Sequence, residues 1–241
     1  MNGGDPPLHT RPERNPMRSL GNRLDTVLSL VRAYGPFSLL SDVGSDHAFV
    51  AISAVQSGLA AAAVASDVRE GPLEHGRENA KKLGVKVDFV LSDGLDALGA
   101  YRFDCVCICG MGGELIADIL RRAGEKAFCR LLLQPMTAQD DLRKYLWENG
   151  FTIESETYVS ERGKPYAVLS VIHTGKETRY SYADLFLGQF RPAGEEYARY
   201  AGKALSQAKK RRIGLLSRGE DPACEDGLIA EAEAVLSAYR Q

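Results

Sequence analysis

The stretch FSLLSDVGSDHA, residues 37–48, decides the fold class of this 241-residue chain. Its short apolar run ends in a glycine-containing turn, as a buried strand ends before a helix. Similar runs follow at 61–66, 85–91, 103–109 and 130–134, separated by stretches of helical character at 49–57, 72–83, 115–122 and 139–149. Apolar strands that alternate with helices are typical of a parallel sheet covered on both faces. The sequence therefore predicts an α/β protein.

The pattern changes after Gly150. The runs 151–159 and 166–173 flank a short polar turn, which predicts an antiparallel hairpin at the end of the sheet. A Rossmann-like sheet closed by such a hairpin is the arrangement of class I methyltransferases. A dehydrogenase domain more often continues with parallel strands.

Helices are predicted on both sides of this core. A helical period covers residues 20–34, and further helices are predicted at 181–189, 195–218 and 225–239. We expect three parts. These are a disordered leader at 1–18, a Rossmann-like methyltransferase domain at 19–175, and a small C-terminal α-helical, coiled-coil-like domain at 176–241.

The composition limits the possible locations and partners. Because the formal net charge is only −2, any surface for a polyanion must be a local patch. No apolar run reaches the about 20 residues that a membrane-spanning helix needs. The five cysteines include no C-x-x-C pair, and His9, His75 and His173 stand in unrelated settings. We therefore predict reduced thiols, a cytoplasmic location, no membrane contact and no metal.

The carboxyl ends of the predicted strands carry the candidate cofactor site, since ligands of open α/β sheets bind there. Asp67 follows Gly44 by about 20 residues, where a carboxylate can bond both ribose hydroxyls, and Asp93 can accept from an adenine amino group. Each residue alone also fits a helix cap or a tight turn, but together on one edge they predict a nucleoside cofactor. The predicted set is Asp42, Gly44, Ser45, Asp67, Val68, Asp93, Gly94, Gly110 and Met111.

The charge of this edge distinguishes between two cofactors. The negatively charged pyrophosphate of NAD would be repelled by Asp46, and the first turn lacks the further glycines of G-x-G-x-x-G. S-adenosylmethionine carries a sulfonium and no phosphate, so surrounding acids are favourable. The aspartates therefore favour S-adenosylmethionine.

Several motifs, in order along the chain, resemble the bacterial tRNA (adenine-22-N1)-methyltransferases. They are LGNRL at 20–24, DVGSDHA at 42–48, EGP at 70–72, DGL at 93–95, GMGG at 110–113 and QP at 134–135. The resemblance implies methyl transfer from S-adenosylmethionine to N1 of one adenine in the D-arm region of tRNA. It also implies a C-terminal coiled-coil-like domain that helps to hold the tRNA. Two residues depart from the family pattern. Cys109 stands where a small residue is expected, and Ala167 stands where an acid is expected.

The resemblance also sets the expected chemistry. Adenine N1 has a free lone pair, so the enzyme mainly aligns it with the methyl group, and a carboxylate would stabilise the cationic product. Asp46 is the first candidate for this role and His47 the second. The alternatives are a helix cap for Asp46 and a structural hydrogen bond for His47. We expect Arg23, Gly112 and Gly113 to contact substrate, although Arg23 also fits a solvated helix face.

No Asn or Asp occupies the turn at Gly110 and Met111, where enzymes that methylate exocyclic amino groups hold their target. This argues against adenine N6 as the methylated atom.

The segment from Tyr197 to Arg218 contains seven Lys or Arg and no acid. A helical wheel at about 100° per residue predicts an apolar stripe that packs against the last helix as an antiparallel hairpin. The stripe comprises Tyr197, Ala201, Leu205, Ala208, Leu215 and Leu216, facing Leu228, Ala232, Val235 and Tyr239.

The opposite face of this helix is basic. It carries Arg199, Lys203, Lys210, Arg211 and Arg218. From this face Lys203, Lys210 and Arg211 are predicted to contact tRNA phosphates. The alternative is a solvated face whose partners are the acids between Glu220 and Glu233.

Three functions remain open from the sequence. The first is a tRNA N1-adenine methyltransferase, and the second is a class I methyltransferase for another RNA or a small molecule. The third is a non-catalytic RNA-binding protein with a vestigial Rossmann core. A monomer is expected in each case.

Overall fold

The computed structural model describes residues 19–239, so the predicted leader at 1–18 lies outside the described residues. Seven strands form one sheet in the order β3-β2-β1-β4-β5-β7-β6, with β1 to β5 parallel and β7 antiparallel to β5. The strands are β1 (Phe37–Val43), β2 (Ala60–Asp67), β3 (Asp88–Leu91), β4 (Cys105–Gly112), β5 (Arg130–Thr137), β6 (Phe151–Glu161) and β7 (Lys164–His173). The helices are α1 (Asn22–Tyr34), α2 (Phe49–Gln56), α3 (Glu70–Leu83), α4 (Gly113–Ala123), α5 (Gln139–Glu148), α6 (Tyr182–Leu187), α7 (Glu195–Ser217) and α8 (Ala223–Tyr239). The predicted fold class is confirmed.

Two central strands run further than their sequence suggests. The predicted turn at 110–113 belongs in part to β4, and β5 continues through Pro135 to Thr137. The two extensions pair with each other, Met111 opposite Pro135 and Gly112 opposite Thr137, with shifts in register. A proline is tolerated within a sheet at such an irregularity, because no regular ladder bond is lost there. The glycines and the proline predicted earlier ends for β4 and β5, but the pairing of these two strands continues past those residues.

The sheet is covered on both faces, as the apolar strands predict. Val106 and Ile108 of β4 join the core cluster that contains buried side chains of α4 and α5. Cys105 and Cys107 point to the other face, in the cluster that contains residues of α1 and α2. All five cysteines are free thiols, as predicted, although Cys224 is exposed.

The three C-terminal helices have their own small core. α7 and α8 form the predicted antiparallel hairpin around a cluster rich in alanine, which includes Ala201, Ala208 and Ala232. Four members of the predicted stripe do not belong to it. Tyr197 packs in a second cluster with Tyr158 and Tyr200, and Leu215 is only half-buried. Leu216 and Tyr239 are 49% and 48% exposed. Both lie near the end of their helix, beyond the alanine cluster, where no other element covers them in the described part of the chain.

A buried polar network joins α7 to the sheet. The Arg143 guanidinium of α5 donates to both oxygens of Glu156 on β6, at 3.1 and 2.6 Å, and to the Tyr200 hydroxyl on α7 at 3.1 Å. The side chains of Arg143 and Glu156 are fully buried. Tyr158 also donates to Glu156, at 2.7 Å, and burial raises the pKa of its hydroxyl. These contacts fix the helical region against the end of the sheet.

None of the helices within residues 19–239 is long and apolar enough to cross a membrane.

Candidate active site

The turn after β1 lies directly against the turns after β2 and β4. The backbone N–H groups of Gly44 and Ser45 donate to the Ser66 carbonyl at 2.8 and 3.1 Å. Gly44 has φ +71°, and a Cβ there would lie 1.9 Å from the Met111 methyl carbon. Glycine is therefore favoured by the backbone conformation, and the end of the Met111 side chain lies directly against it. The structure thus brings together Gly44, Ser45 and Met111 of the predicted cofactor set.

Asp42 stabilises this turn from below. Its buried carboxylate accepts a hydrogen bond from the Ser45 hydroxyl at 2.7 Å and another from the Ala51 N–H at 3.2 Å. Burial raises the pKa of Asp42, and these hydrogen bonds oppose that effect. The bond to Ala51 means that Asp42 satisfies an N–H in the first turn of α2. Both bonds use the same oxygen of the carboxylate.

The second strand ends in Asp67 and Val68. One oxygen of the Asp67 carboxylate accepts from the Arg69 N–H at 2.9 Å, and the Asp67 carbonyl accepts from the Ser92 N–H at 2.9 Å. The second bond places the turns after β2 and β3 side by side. Val68 is an exposed apolar side chain beside this carboxylate. The edge therefore combines an acceptor with a small apolar surface.

Asp93, after β3, has a partner that the sequence did not indicate. Its carboxylate accepts from the Arg122 guanidinium of α4 at 2.9 Å, and Arg122 also bonds Asp118 at 3.0 Å. The neighbouring Gly94 has φ +58°, and a Cβ there would lie 2.8 Å from Ile119. Arg122 reaches this turn from a different helix, so no local motif could have found it.

The GMGG turn is tied to α1 through Gln134. The Gln134 side-chain oxygen accepts from the Gly110 N–H at 3.2 Å and from the Arg23 guanidinium at 2.7 Å. Arg23 also donates to Glu161 at 2.8 Å, which lowers the pKa of that carboxyl against the opposing effect of its burial. The Arg23 guanidinium is thus held in an ordered network beside the turn instead of on a solvated helix face.

The two last glycines of the turn pack closely against the turn after β5. A Cβ at Gly113 would lie 2.0 Å from the Ala138 carbonyl oxygen, and one at Gly112 would lie 3.2 Å from the Thr137 hydroxyl. Gly113 is buried, so its contacts are with the protein backbone. Substrate contact by these two glycines stays a prediction.

Asp46 and His47 project from the turn before α2. The Asp46 side chain is 68% exposed, and its carboxylate lies 3.5 Å from the His47 Nε2. The interpretation of Asp46 as a cap of α2 is wrong, because the cap residue is Ala48 and the side chain that accepts an N–H of the first turn is Asp42. The His47 ring packs between those of Phe49 and His75, with centroids 5.1 and 5.4 Å away. The Asp46 carboxylate is therefore free to face a ligand.

The position of His75 corrects an expectation from the sequence. It was predicted to stand apart from other ligating groups, but α3 brings it next to His47. Within residues 19–239, the ligating atoms of Asp46, His47 and His75 lie within 4.8 Å of one another. The two histidines are far apart in the sequence, so only the packing of α3 against the first turn shows the cluster.

A cavity of about 960 Å³ lies between the sheet and the helical region. Tyr166 of β7 forms part of its wall, and the Arg23 guanidinium and the Lys203 ammonium lie 5.3 and 5.9 Å from the centre of its ring. Burial lowers the pKa of Lys203, and the nearby Lys164 adds to this effect. Thr137 and Ala138 also line the cavity and pack against Gly112 and Gly113, so the cavity adjoins the GMGG turn.

The predicted basic face of α7 divides into two groups. Lys203 and Lys210 line the cavity and have no ion-pair partner among the described residues. Arg211 also lines the cavity, but its guanidinium donates to both oxygens of Glu225 on α8, at 2.7 and 3.1 Å. For Arg211 the alternative interpretation, with acids of the last helix as partners, describes the observed contact. Arg199 and Arg218 pair with Glu195 and Glu220.

A Rossmann-like sheet with a terminal antiparallel hairpin, and an acidic edge at its carboxyl ends, defines a class I methyltransferase. A family model of tRNA (adenine(22)-N(1))-methyltransferases matches residues 40–201. The tRNA (adenine(22)-N(1))-methyltransferase of Bacillus subtilis is 30% identical over 173 residues, which are 70% of this chain and 71% of that protein. The chain belongs to the tRNA (adenine(22)-N(1))-methyltransferase family.

Solved structures agree with this membership. A protein of the NADB-Rossmann superfamily from Streptococcus agalactiae aligns with a TM-score of 0.78 and 32% identity, covering 91% of this chain and 98% of that one. A candidate tRNA (m1A22) methyltransferase from Streptococcus pneumoniae, in complex with S-adenosyl-L-methionine, aligns with a TM-score of 0.73 and 32% identity. The alignment covers 89% of this chain and 98% of the Streptococcus pneumoniae protein.

Proposed function

We propose that this chain transfers the methyl group of S-adenosylmethionine to N1 of adenine 22 in tRNA. The observation that carries the proposal is the continuity of two sites. The acidic edge at Gly44 meets the GMGG turn through Met111. That turn meets the basic cavity through Thr137 and Ala138, which line the cavity and pack against Gly112 and Gly113. A methyl donor on one side of the turn and a nucleic acid on the other would meet there.

The residues at the edge fit the proposed cofactor. The second oxygen of the Asp67 carboxylate, which bonds no group in the described part of the chain, is available to ribose hydroxyls. Val68 offers an apolar surface for an adenine ring, and Asp93 offers an acceptor for the adenine amino group. When bound, S-adenosylmethionine supplies an electrophilic methyl group on a positively charged sulfur, which the surrounding carboxylates favour. The related protein from Streptococcus pneumoniae was solved with this molecule.

The chemical step requires little beyond alignment and charge stabilisation. N1 of adenine attacks through a lone pair, so no side chain has to remove a proton first. The base becomes cationic as the bond forms, and the exposed Asp46 carboxylate stabilises that charge. The His47 ring lies beside Asp46 and stacks on Phe49. In this proposal Asp46 is the catalytic residue and His47 supports it.

The tRNA is held by the cavity between the sheet and α7. Lys164, Lys203 and Lys210 contribute positive charge to its wall, and ammonium groups of this kind contact phosphates without reading sequence. The Arg23 guanidinium is positioned to contact the nucleotide nearest the GMGG turn. If adenine 22 is paired in the folded tRNA, these contacts offset the cost of extruding it from its stack.

The state of the protein in the cell is also part of this proposal. A tRNA substrate and five free thiols are consistent with a cytoplasmic enzyme. We propose that it acts as a monomer, since one chain supplies both the cofactor edge and the basic cavity.

The test is incubation of the purified protein with labelled S-adenosylmethionine and unmodified bacterial tRNA, followed by nucleoside analysis. We expect 1-methyladenosine at position 22, and a tRNA with guanine at that position is the matched control substrate. Binding of the cofactor without methylation of this tRNA would instead favour another RNA or a small molecule as substrate. Failure to bind the cofactor would overturn the proposal as a whole.

A further inference from the structure

The cluster of Asp46, His47 and His75 offers three metal-ligating groups in one exposed place. Asp46 and His47 belong to the turn before α2, and His75 lies on α3. Their ligating atoms all lie within 4.8 Å of one another, and no other group of three such residues is found within residues 19–239. The methyl transfer proposed above uses the Asp46 carboxylate with His47 in support, and it assigns no role to His75.

The two imidazoles lie at a separation that suits one shared ion, but they are stacked, so a ring must rotate before both face the same ion. Their ring centroids are 5.4 Å apart and their planes differ by 17°. Two imidazoles on one tetrahedral ion, at Zn–N distances of about 2.0–2.1 Å, hold their ring centres roughly 5 Å apart. The Asp46 carboxylate already lies 3.5 Å from the His47 Nε2, which is close to the spacing of neighbouring ligands around such an ion. Small side-chain rotations would therefore close the site.

The surroundings allow these rotations while holding the backbone. Asn79 of α3 donates to the His47 carbonyl at 3.3 Å and so ties the turn to the helix that carries His75. Phe49 packs against His47 at a centroid distance of 5.1 Å. The Asp46 and His47 side chains are 68% and 41% exposed. An ion could therefore enter from solvent without unfolding any element.

The ligand types select the class of ion. Mg²⁺ and Ca²⁺ prefer oxygen ligands, and two of the three groups here are imidazoles. Imidazole suits Zn²⁺ and similar transition ions. Two His and one carboxylate with a water in the fourth position form a common zinc coordination. We propose that Asp46, His47 and His75 form a binding site for a divalent transition-metal ion of the zinc type.

A metal ion in this site would affect the proposed methyl transfer, and this regulatory inference rests on the proposed function. A carboxylate bound to a metal ion no longer stabilises a cationic base, because its charge is neutralised. The ion also places positive charge beside the developing adeninium. The metal is therefore an inhibitor of methyl transfer, and His75 is the residue through which inhibition can be removed without touching Asp46.

Binding is tested first, on the full-length protein without tRNA. The parent carries Cys224→Ser, because the exposed Cys224 thiol would itself take up zinc. Calorimetric titration with Zn²⁺, and the visible absorption of Co²⁺ as a second probe, should show one ion per chain. His75→Asn should weaken Zn²⁺ binding at least tenfold, since losing even an outer-shell partner costs about 10–100-fold.

Two further variants keep this test decisive. His173→Asn removes an imidazole that stacks on Phe128, away from the cluster, and should bind zinc like the parent. Asp46→Asn should weaken binding without altering α3, which guards against an effect of His75→Asn on the helix. Equal affinity in the parent and His75→Asn would overturn the proposal, as would the absence of saturable binding in the parent.

Activity gives a separate readout. Zn²⁺ should inhibit methylation of tRNA by the parent, and EDTA should restore it. His75→Asn should methylate at the parent rate without zinc and should resist inhibition. Inhibition of both proteins to the same extent would overturn the regulatory part. A protein that binds zinc but methylates no tRNA would refute the proposed function and leave the metal site standing.

Discussion

The carboxyl edge of the sheet and the C-terminal helical hairpin differ in how they use their charges. At the edge, Asp46, Asp67 and Asp93 lie at or just beyond the ends of strands, and the strand register brings their turns together. On the hairpin, most basic side chains are paired with acids of the same region, such as Arg211 with Glu225. A charge next to a parallel strand is therefore a better indicator of a site than a charge on an exposed helix.

The largest effect is expected from a variant that breaks the connection between the sheet and the C-terminal helices. Arg143→Met leaves Glu156 buried without its counter-charge, and removing one partner of a buried pair costs about 3–5 kcal/mol. Urea unfolding should show this loss in the free energy of unfolding. The double variant Arg143→Met, Glu156→Leu should recover most of it, since replacing both partners with apolar groups is often neutral. A loss below about 1 kcal/mol, typical of exposed pairs, would mean that the network does not hold α7 on the sheet.

The next largest effect is expected from a variant at the carboxyl edge of the sheet alone. Asp46→Ala should lower kcat about 10²–10³-fold, in the range seen when one group that stabilises charge in a transition state is removed. The Kd for S-adenosylmethionine should change little, because Asp46 supports the base and not the cofactor. Steady-state kinetics and calorimetry measure the two quantities. Parallel loss of cofactor affinity would instead assign Asp46 to the structure of the turn.

A third prediction tests whether the unpaired basic side chains of α7 contact tRNA and the paired ones do not. Lys203→Gln and Lys210→Gln should each weaken tRNA binding by about tenfold, the effect of one lost hydrogen bond to a charged group. Each should also reduce the slope of log K against log salt by about one. Lys209→Gln is the matched control, because Lys209 pairs with Glu233 on α8 at 2.7 Å. Equal effects of all three variants would mean that the whole face contacts RNA.

The smallest effect concerns Asp93. Arg122→Met removes the guanidinium that holds this carboxylate, and the Kd for S-adenosylmethionine should rise by less than about fivefold, because the pair is exposed to solvent. Arg121→Met is the control, since Arg121 pairs with Asp118 and not with Asp93. Calorimetric titration of both variants distinguishes them. A lower Kd in Arg122→Met would show that Arg122 competes with the cofactor for Asp93.

Much of the fold followed from local patterns. Apolar runs, helical periods and turn residues predicted the parallel sheet, its terminal hairpin and the helical C-terminal region. These patterns are local consequences of burial, so they are visible in one stretch of chain at a time. Their ends were less predictable, as β5 runs through Pro135 because a neighbouring strand pairs with it.

The meeting of the turns that carry Gly44, Asp67 and Asp93 was also predictable, because the carboxyl ends of parallel strands lie at one edge. The contacts between distant segments were not. His75 beside Asp46, Arg122 on Asp93, Gln134 between Arg23 and Gly110, and the pairing of Arg211 with Glu225 depend on how helices pack over the sheet. The sequence determined which residues stand at the carboxyl edge of the sheet, whereas tertiary structure decided which of their charges are already satisfied, since long-range packing brings the partners together.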